Sequence, residues 1–426
     1  MKASADLLVS GAACVATARG ARALGGRDLG RVETLPGAAV AVQGRTIAAV
    51  GPEAELRAAF SFAAELDAQG GAVVPGFVDA HTHPVFHGTR EDEFELRTQG
   101  KTYVEIAAAG GGILASVRGV RAASKEELLR GLLARLARFL ALGTTTVEAK
   151  SGYGLSVADE LKCLEVLAQA SRLQPVEVVP TFLGAHDFPP EYRDRRGAYV
   201  DLIVEEMLPR VAEARLAEYC DAFTEGHIFG LDDTRRIMRR ARELGLGVRL
   251  HADQLTPLAG AELAAELGAA SADHLEHVSE RGIEALAAAG VVPVLCPTVP
   301  IYLRTEREVP ARRMIEAGLA PALSTDFNPG SSYCQSLPEA ITFGALRLLL
   351  SADECLTAAT LNAAASLGRA DRLGTLEAGK QADIVVLDAP SHRFLAYEFG
   401  WNPVRAVVKA GRIAYVRPEG GPGGRL

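Results

Sequence analysis

The chain has 426 residues, a hydrophobic content of 48% and a formal net charge of −8 at neutral pH. This length can hold a large domain with an accessory module. The acidic balance argues against nucleic acid or an anionic membrane as the main partner, because both require concentrated Lys and Arg. The six cysteines form no Cys-x-x-Cys pair, which disfavours a disulfide framework or a thiolate zinc site and favours a cytoplasmic location. Since no uncharged apolar stretch of about 18 residues occurs, no membrane span is expected.

The two ends of the chain have the pattern of a small β-domain. Short strand-like runs alternate with Gly-rich turns at Leu7–Val9, Ala38–Val42, Ile47–Val50, Asp383–Leu387, Val407–Lys409 and Gly411-Arg412-Ile413. We expect residues 1–70 and 377–426 to form one β-sandwich-like module where the termini meet, with residues 71–376 as the main domain. The Gly-rich tail from Glu419 to Leu426 is expected to fray.

The middle of the chain alternates short apolar runs with longer helical patterns. Eight runs predict strands, namely Val73–Val78, Thr144–Val147, Val176–Leu183, Ala222–Thr224, Val248–Leu250, His274–Val278, Val291–Leu295 and Pro321–Ser324. Apolar residues at helical spacing predict helices at Lys125–Leu142, Glu160–Ala170, Thr234–Glu243, Leu258–Leu267 and Glu280–Ala289. The predicted fold is α/β, a (β/α)8 TIM-type barrel with the helices outside. A doubly wound open sheet is the alternative, weakened for dinucleotide binding by the lack of a Gly-x-Gly-x-x-Gly motif after an early strand.

Three segments read as connections between these elements. Asp187–Gly197 is rich in Pro and charged residues. This segment and a second one, Val299–Arg313, are predicted to be loops over the mouth of the barrel. The run Gly110-Gly111-Gly112 predicts a flexible turn.

Histidines and one carboxylate lie at the ends of predicted strands. His81 and His83 follow a β-branched run, and because residues i and i+2 of a strand point the same way, both imidazoles can face one ion. His251 ends the run Val248–Leu250, His274 follows Ala272-Asp273, and Asp326 follows the last predicted strand. Imidazole and carboxylate without thiolate suit Zn²⁺ or Fe²⁺. The alternative is a set of histidines that pack at strand ends and are hydrogen-bonded locally.

The order of these motifs resembles that of the amidohydrolase superfamily, and in particular its imidazolonepropionase family. The resemblance extends over nearly the whole chain and is carried jointly by Val78-Asp79-Ala80-His81-Thr82-His83-Pro84, His87-Gly88-Thr89-Arg90, Lys150-Ser151-Gly152-Tyr153-Gly154, Leu183-Gly184-Ala185-His186, His251-Ala252-Asp253-Gln254, Asp326-Phe327-Asn328-Pro329-Gly330-Ser331 and Gly379-Lys380-Gln381-Ala382-Asp383-Ile384-Val385.

The resemblance implies a metal centre formed by His81, His83, His251 and Asp326. Relatives with two metals use a carboxylated Lys on the fourth barrel strand, whereas that region here reads Tyr219-Cys220-Asp221-Ala222-Phe223. We therefore expect one divalent ion, Zn²⁺ or Fe²⁺, per subunit. Lys150 lies on the second strand and is expected to form an ion pair near the rim.

The implied reaction opens the ring of 4-imidazolone-5-propanoate to give N-formimidoyl-L-glutamate, in histidine degradation. A metal-activated water would attack the lactam carbonyl carbon, with Asp326 as general base and His274 orienting the nucleophile or stabilising the oxyanion. Deaminase relatives carry His-x-x-Glu, whereas Gln254 occupies that position here and cannot titrate. We expect Gln254 to hydrogen-bond the substrate during catalysis; a solvated residue at a helix start is the alternative.

The resemblance also assigns the substrate contacts. Arg90 would bind the propanoate carboxylate, although an ion pair with neighbouring Glu91, Asp92 or Glu93 is the alternative. Tyr153 and His186 would hydrogen-bond the ring and chain, or pack at the rim. Three further residues would hold the second carboxylate of the product, or simply form a turn: Asn328, Gly330 and Ser331.

Other expectations concern assembly and competing functions. The family suggests a homodimer. A different cyclic-amide hydrolase or deaminase on the same scaffold, and an interaction protein without activity, remain alternatives. No role is predicted for His87, His227, His277 and His392.

Overall fold

The computed structural model describes residues 2–101, 105–106 and 110–418, so the predicted fraying tail Glu419–Leu426 lies outside the described residues. The strands of this part of the chain are β1 (Ala3–Ser10), β2 (Cys14–Thr17), β3 (Glu33–Pro36), β4 (Ala38–Gln43), β5 (Thr46–Pro52), β6 (Phe60–Asp67), β7 (Ala72–Pro75), β8 (Phe77–Asp79), β9 (Thr144–Lys150), β10 (Glu177–Ala185), β11 (Tyr219–Thr224), β12 (Gly247–Ala252), β13 (Ser271–His274), β14 (Val292–Leu295), β15 (Ala322–Leu323), β16 (Ile384–Leu387), β17 (Val404–Lys409) and β18 (Arg412–Val416).

Helices fill most of the connections between strands. The α-helices of the described ranges are α1 (Glu53–Ala59), α2 (Glu91–Thr98), α3 (Ile113–Ala122), α4 (Lys125–Ala141), α5 (Val157–Leu173), α6 (Arg196–Leu202), α7 (Leu208–Glu213), α8 (Leu231–Glu243), α9 (Gly260–Glu266), α10 (Glu280–Ala289), α11 (Val299–Leu303), α12 (Ala311–Glu316), α13 (Leu337–Leu348), α14 (Ala352–Thr357), α15 (Ala363–Ser366) and α16 (Phe394–Tyr397). Shorter turns occur as 3-10 helix at Gly26–Asp28 and Pro190–Tyr192, and as π-helix at Ile203–Met207 and Ala358–Asn362.

The helix α4 shows how local sequence sets these boundaries. The hydroxyl of Ser124 accepts a hydrogen bond from the backbone of Glu127, whose side chain in turn accepts from the Ser124 backbone. This capping box satisfies backbone donors that a helix start otherwise leaves unpaired. Leu128, Leu132 and Leu136 are fully buried along one face, which is the face that packs inward.

The strands β8 to β15 form one eight-stranded parallel sheet in sequential order. The predicted (β/α)8 barrel is therefore confirmed. The first and last strands meet through Asp79, whose carboxylate accepts hydrogen bonds from the Thr325 hydroxyl at 2.6 Å and the Thr325 backbone at 3.1 Å. A further bridge pairs Thr82 with Phe327, so the sheet closes beside two of the predicted ligands.

The predicted first strand, Val73–Val78, is two strands. Strand β7 joins a sheet of the small domain, between β2 and β16, and only β8 enters the barrel. Gly76 separates them, and a Cβ at this position would lie 2.5 Å from the hydroxyl oxygen of Thr145. Only glycine lets the chain pass this close to β9 while changing sheets, and a count of apolar residues does not show such a change.

The predicted strand His274–Val278 is also displaced. The strand β13 ends at His274 instead of beginning there, and His274 and Leu275 have φ angles of 78° and 73°. This left-handed backbone stops the strand. His274 therefore lies at the carboxyl end of its strand, as the predicted ligands do.

The small domain combines both termini as predicted. One four-stranded sheet has the order β5-β4-β1-β6, and a six-stranded sheet has the order β18-β17-β16-β7-β2-β3. A buried cluster between them includes Val9, Val40, Val73, Ile384 and Val408. Burial of such β-branched side chains on facing strands holds a sandwich together.

Parts of the predicted mouth loops are helical. The segment Val299–Arg313 contains α11 and the start of α12, and the buried guanidinium of Arg97 joins it to the last barrel loop by donating to the carbonyls of Tyr302 and Gly330, each at 3.0 Å. In the described part of the chain no helix has the length and apolar character needed to cross a membrane. The six cysteines are buried and unpaired.

Candidate active site

All predicted metal ligands lie at the carboxyl ends of barrel strands. His81 and His83 follow β8, His251 lies near the end of β12, and Asp326 follows β15. The backbone of His83 donates to the carbonyl of Phe327 at 2.8 Å, which holds the first and last of these segments side by side. All four side chains are buried.

The ligand atoms of these side chains converge. Nε2 of His83 lies 3.3 Å from Nε2 of His81 and 3.4 Å from Nε2 of His251. Oδ1 of Asp326 lies 3.3 Å from Nε2 of both His81 and His83. Ligand atoms bound tetrahedrally at about 2.0–2.1 Å are roughly 3.3–3.4 Å apart, so the spacing fits a single small divalent ion.

The protonation and pairing of these groups also fit a metal ion. Burial lowers the pKa of both His81 and His83 well below the usual value, and nearby positive charge lowers each further. The imidazoles are therefore neutral and can donate lone pairs. Oδ1 of Asp326 is buried and has no hydrogen-bond partner in the described part of the chain, which is costly unless a cation occupies the point that it faces.

Two carboxylates that the sequence analysis did not identify support these imidazoles. Nδ1 of His81 lies 2.6 Å from Oδ2 of Asp273, and Nδ1 of His251 lies 2.9 Å from Oδ2 of Asp221. Such contacts favour the Nδ1–H tautomer and leave Nε2 for a metal. Asp221 and Asp273 could have been identified as charged residues inside apolar barrel strands.

His274 completes the ring of histidines. Its ring centroid lies 5.1 Å from that of His81 and 5.2 Å from that of His251, and ligand atoms of these three residues also lie within 4.8 Å of one another. Burial alone would lower the pKa of His274, but the carboxylates of Glu276, Asp326 and Asp273 together outweigh it and raise this pKa.

A pocket opens above the cluster. Its concave shape and its mixed polar and apolar lining suit a small molecule. Its lining includes three ligands and His274, most of the predicted substrate residues and a few apolar side chains: His83, His251, Asp326, His274, Arg90, Tyr153, His186, Gln254, Asn328, Ser331, Ile113, Phe223, Leu255 and Leu303.

Arg90 lines the pocket and also forms the ion pair considered as its alternative. Its Nε and one terminal nitrogen donate to Oε2 of Glu93 at 2.9 and 2.6 Å. Gly330 is absent from the lining but lies directly against this guanidinium, because a Cβ at Gly330 would be 2.1 Å from a terminal nitrogen of Arg90. Glu93 and Gly330 together determine where the guanidinium lies.

The turn considered as an alternative for the last loop is also present. Oδ1 of Asn328 accepts hydrogen bonds from the backbones of Gly330 and Ser331, at 2.8 and 2.7 Å. Nδ2 of Asn328 donates to the Ser331 hydroxyl at 2.8 Å. Those two backbone donors are therefore already paired. Nδ2 of Asn328 is paired as well, because it also donates to the carbonyl of Asp326 at 2.7 Å, and Asn328 and Ser331 both line the pocket.

His186 and Tyr153 form one wall of the pocket. The ring of His186 stacks on that of His83 at 5.1 Å, and its Nδ1 lies 2.9 Å from the carbonyl oxygen of Gly152. The buried carboxylate of Glu160 accepts from the backbones of Gly152 and Gly154 and so holds the loop that carries Tyr153. The sequence analysis missed Glu160, because its partners are backbone groups.

Lys150 is not near the rim. It is fully buried, and its ammonium lies 2.7 Å from Glu148 and 2.9 Å from Asp221. The predicted ion pair is present, but the predicted position near the rim is wrong. Strand β9 carries the side chain of Lys150 into the barrel interior, behind the predicted ligands.

The histidines without a predicted role lie away from the cluster. His87 and His227 are exposed, and His277 is partly exposed. His392 is buried, with Nε2 2.6 Å from a carboxylate oxygen of Asp353 in α14, and it attaches the C-terminal segment to the barrel.

The barrel and the cluster of His and Asp side chains at the carboxyl ends of its strands define a protein of the amidohydrolase class. The family model described as "Amidohydrolase family" matches residues 108–415, and the model "Imidazolonepropionase-like composite domain, bacteria" matches residues 38–60. Similar solved structures include an adenosine deaminase from Xanthomonas campestris with bound zinc (TM-score 0.70, 23% identity, covering 98% of this chain and 94% of that one) and Escherichia coli guanine deaminase (TM-score 0.70, 16% identity, covering 96% and 99%). At these identities they show the fold alone.

Relatives found by sequence similarity identify the family more specifically. The chain is 50% identical to an imidazolonepropionase of Symbiobacterium thermophilum, over 96% of this chain and 97% of the relative. It is 49% identical to one of Myxococcus xanthus and 44% identical to one of Porphyromonas gingivalis strain W83, each over 96% of this chain and 97% of the relative. The chain belongs to the imidazolonepropionase family of the amidohydrolases.

Proposed function

We propose that this chain hydrolyses 4-imidazolone-5-propanoate to N-formimidoyl-L-glutamate, a ring-opening step of histidine degradation. The observation that carries the proposal is the convergence of His81, His83, His251 and Asp326 at the base of a small pocket. Relatives named imidazolonepropionase, at 44–50% identity over nearly the full chain, specify the substrate class.

One divalent ion, Zn²⁺ or Fe²⁺, would be held by these four side chains. When bound, such an ion makes a water acidic near neutral pH and polarises a substrate carbonyl. Imidazole and carboxylate ligands suit both metals. His274 contacts the same cluster. We assign it to the substrate side because the nearby carboxylates raise its pKa, which favours the protonated imidazole that cannot bind a metal.

The proton transfers fall to Asp326 and His274. A carboxyl oxygen of Asp326 takes the proton of the attacking water as the bond to the lactam carbonyl carbon forms. The ring C–N bond then breaks, and the same proton passes to the departing nitrogen. His274 stabilises negative charge on the carbonyl oxygen. Gln254 can hydrogen-bond the ring but cannot carry a proton.

The carboxylates of substrate and product would be bound at the rim. Glu93 orients the guanidinium of Arg90, and a guanidinium forms two parallel hydrogen bonds with a carboxylate. We assign the propanoate group to Arg90. The new carboxylate of the product would meet the side-chain groups of Asn328 and Ser331, while Tyr153 and His186 contact the ring and chain.

The test is an assay of the purified protein with added Zn²⁺ or Fe²⁺. Loss of the ultraviolet absorbance of the imidazolone, with formation of N-formimidoylglutamate and no ammonia, is the expected result. Ammonia release from an amino-substituted ring, without opening of the imidazolone, would instead support a deaminase on this scaffold. We further propose a homodimer in the cytoplasm, which light scattering of the purified protein and fractionation of cells would check.

A further inference from the structure

Two fully buried cations lie directly behind the proposed metal site. Lys150 ends β9 and Arg249 lies in β12, and both side chains are fully buried. Burying a positive charge costs several kcal/mol unless it is well paired. The ligands in front of them are proposed to bind another cation, and repulsion from that cation would make the burial of Lys150 and Arg249 still less favourable. Their presence in this position needs a reason beyond packing.

Lys150 is linked to one metal ligand through a carboxylate. Its ammonium lies 2.9 Å from Oδ2 of Asp221, and the same oxygen lies 2.9 Å from Nδ1 of His251. Oδ1 of Asp221 accepts from the backbones of His251 and Ala222, at 3.1 and 2.7 Å. Oδ1 of Asp221 is thus held by two backbone groups, and Oδ2 lies between the ammonium and the imidazole.

Arg249 makes a parallel arrangement with a second ligand. Its guanidinium donates to the carbonyls of Ala80 and Ser366, at 2.8 and 2.9 Å, and lies 3.5 Å from Oδ2 of Asp273. That oxygen lies 2.6 Å from Nδ1 of His81. In both arrangements a cation faces a carboxylate that faces the ring nitrogen remote from the metal.

We propose that Lys150 and Arg249 are positioning residues of the metal site. Each cation keeps a buried carboxylate in place against Nδ1 of a ligand imidazole, so that Nε2 faces the ion in the correct tautomer and orientation. The effect of Lys150 is the larger, because its contact with the carboxylate is shorter. This inference rests on the proposed function, since it presupposes that the cluster binds a metal.

The competing explanation is that these pairs only stabilise the barrel. A matched control exists at the opposite end of the barrel, where Lys409 is also buried and lies 2.6 Å from Asp383. Lys409→Met removes a comparable buried pair without touching any ligand. Stability and metal affinity can therefore be separated.

The experiment measures the Zn²⁺ affinity of metal-free protein by competition with a chelator. Lys150→Met is expected to weaken binding by about 10- to 100-fold, the usual effect of losing support behind a ligand. Arg249→Met is expected to weaken it less, and Lys409→Met to leave it within about twofold while lowering the resistance to urea. Unchanged affinity in Lys150→Met would overturn the inference, as would an equal loss in Lys409→Met.

A second variant protects the test from a folding failure. Removing Lys150 alone leaves the carboxylates of Glu148 and Asp221 without their shared partner, so Lys150→Met/Glu148→Gln restores the balance of charge, with Glu148→Gln alone as its control. The double variant should bind Zn²⁺ about 10- to 100-fold more weakly than this control, and equal binding would overturn the inference. Wild-type protein that binds no Zn²⁺ or Fe²⁺ would instead contradict the proposed function.

Discussion

The two ends of the barrel use buried charge in different ways. At the carboxyl end, Oδ1 of Asp326 lacks a hydrogen-bond partner in the described ranges and faces two imidazole nitrogens at 3.3 Å. At the amino end, Glu177 accepts hydrogen bonds from Arg369 and Arg372, and Lys409 pairs with Asp383. The carboxyl end has a buried carboxylate oxygen without a hydrogen-bond partner among the described residues, and the amino end matches each of these charges with an opposite charge.

The backbone around the site is strained as well. Non-glycine residues adopt left-handed φ angles of 48–78° in the loops around the site, namely at Asp253, His274, Leu275 and Asp326. Such conformations are costly and persist where the surrounding structure holds them, often at functional sites. An unpaired carboxylate oxygen and strained backbone thus coincide at the carboxyl end. The paired charges at the amino end, which joins the barrel to the small domain, provide stability.

The largest expected effect is at the carboxyl end. Asp326→Asn removes the proposed general base while keeping an oxygen that can face the metal, so kcat should fall by roughly 10²–10⁴-fold. The measurement is the steady-state loss of imidazolone absorbance, with the metal content of the same sample determined. Wild-type turnover with metal bound would contradict the assignment of Asp326 as the base.

The next largest effect is expected for Glu177, at the amino end of the barrel, and it is an effect on the stability of the fold. Burial alone would raise the pKa of Glu177, but hydrogen bonds and charge from Arg372, Lys409 and Arg369 outweigh it and lower this pKa from 4.5 to about 2. The lowered pKa makes ionised Glu177 stabilising by about 3 kcal/mol above the pKa of the unfolded chain, and this contribution is lost as the pH falls through the folded pKa.

Glu177→Gln should therefore lower the free energy of unfolding at pH 7 by up to about 3 kcal/mol, and the deficit should shrink between pH 4.5 and pH 3. Urea unfolding at each pH measures it. Glu218→Gln is the control, since Glu218 is more exposed while it also pairs with Arg369, and a loss of less than about 1 kcal/mol is expected there. A deficit in Glu177→Gln that does not change with pH would refute the linkage.

A smaller effect should appear at the rim of the pocket. Gly330→Ala places a Cβ where a terminal nitrogen of Arg90 lies, so the guanidinium must shift and KM should rise about tenfold with little change in kcat. Gly197→Ala is a matched control, because nothing lies within 4 Å of a Cβ there. An unchanged KM in Gly330→Ala would argue that Arg90 does not bind the substrate carboxylate.

The sequence predicts that these His and Asp side chains converge, because their placement follows from simple rules. His81 and His83 share one side of an extended segment, and the carboxyl ends of parallel strands meet at one rim. Neither rule depends on distant packing. The eight-stranded barrel follows from the same alternation of strand and helix.

The supporting groups could not be predicted in this way. His81 and Asp273 are 192 residues apart in the chain. The sequence around a histidine does not indicate which carboxylate its side chain will contact. The break at Gly76 and the left-handed backbone at His274 depend on close contacts with other strands. Periodicity reports which face is buried, but it does not report where a strand changes sheets or ends.

The most direct test of the account is anomalous scattering from crystals of the purified protein, recorded at the absorption edge of the metal found in it. The account predicts one peak per chain, about 2.0–2.2 Å from Nε2 of His81, His83 and His251 and from a carboxylate oxygen of Asp326. Density for a metal elsewhere in the chain with none at this cluster, or two equal peaks within it, would contradict a single catalytic ion held by these four residues.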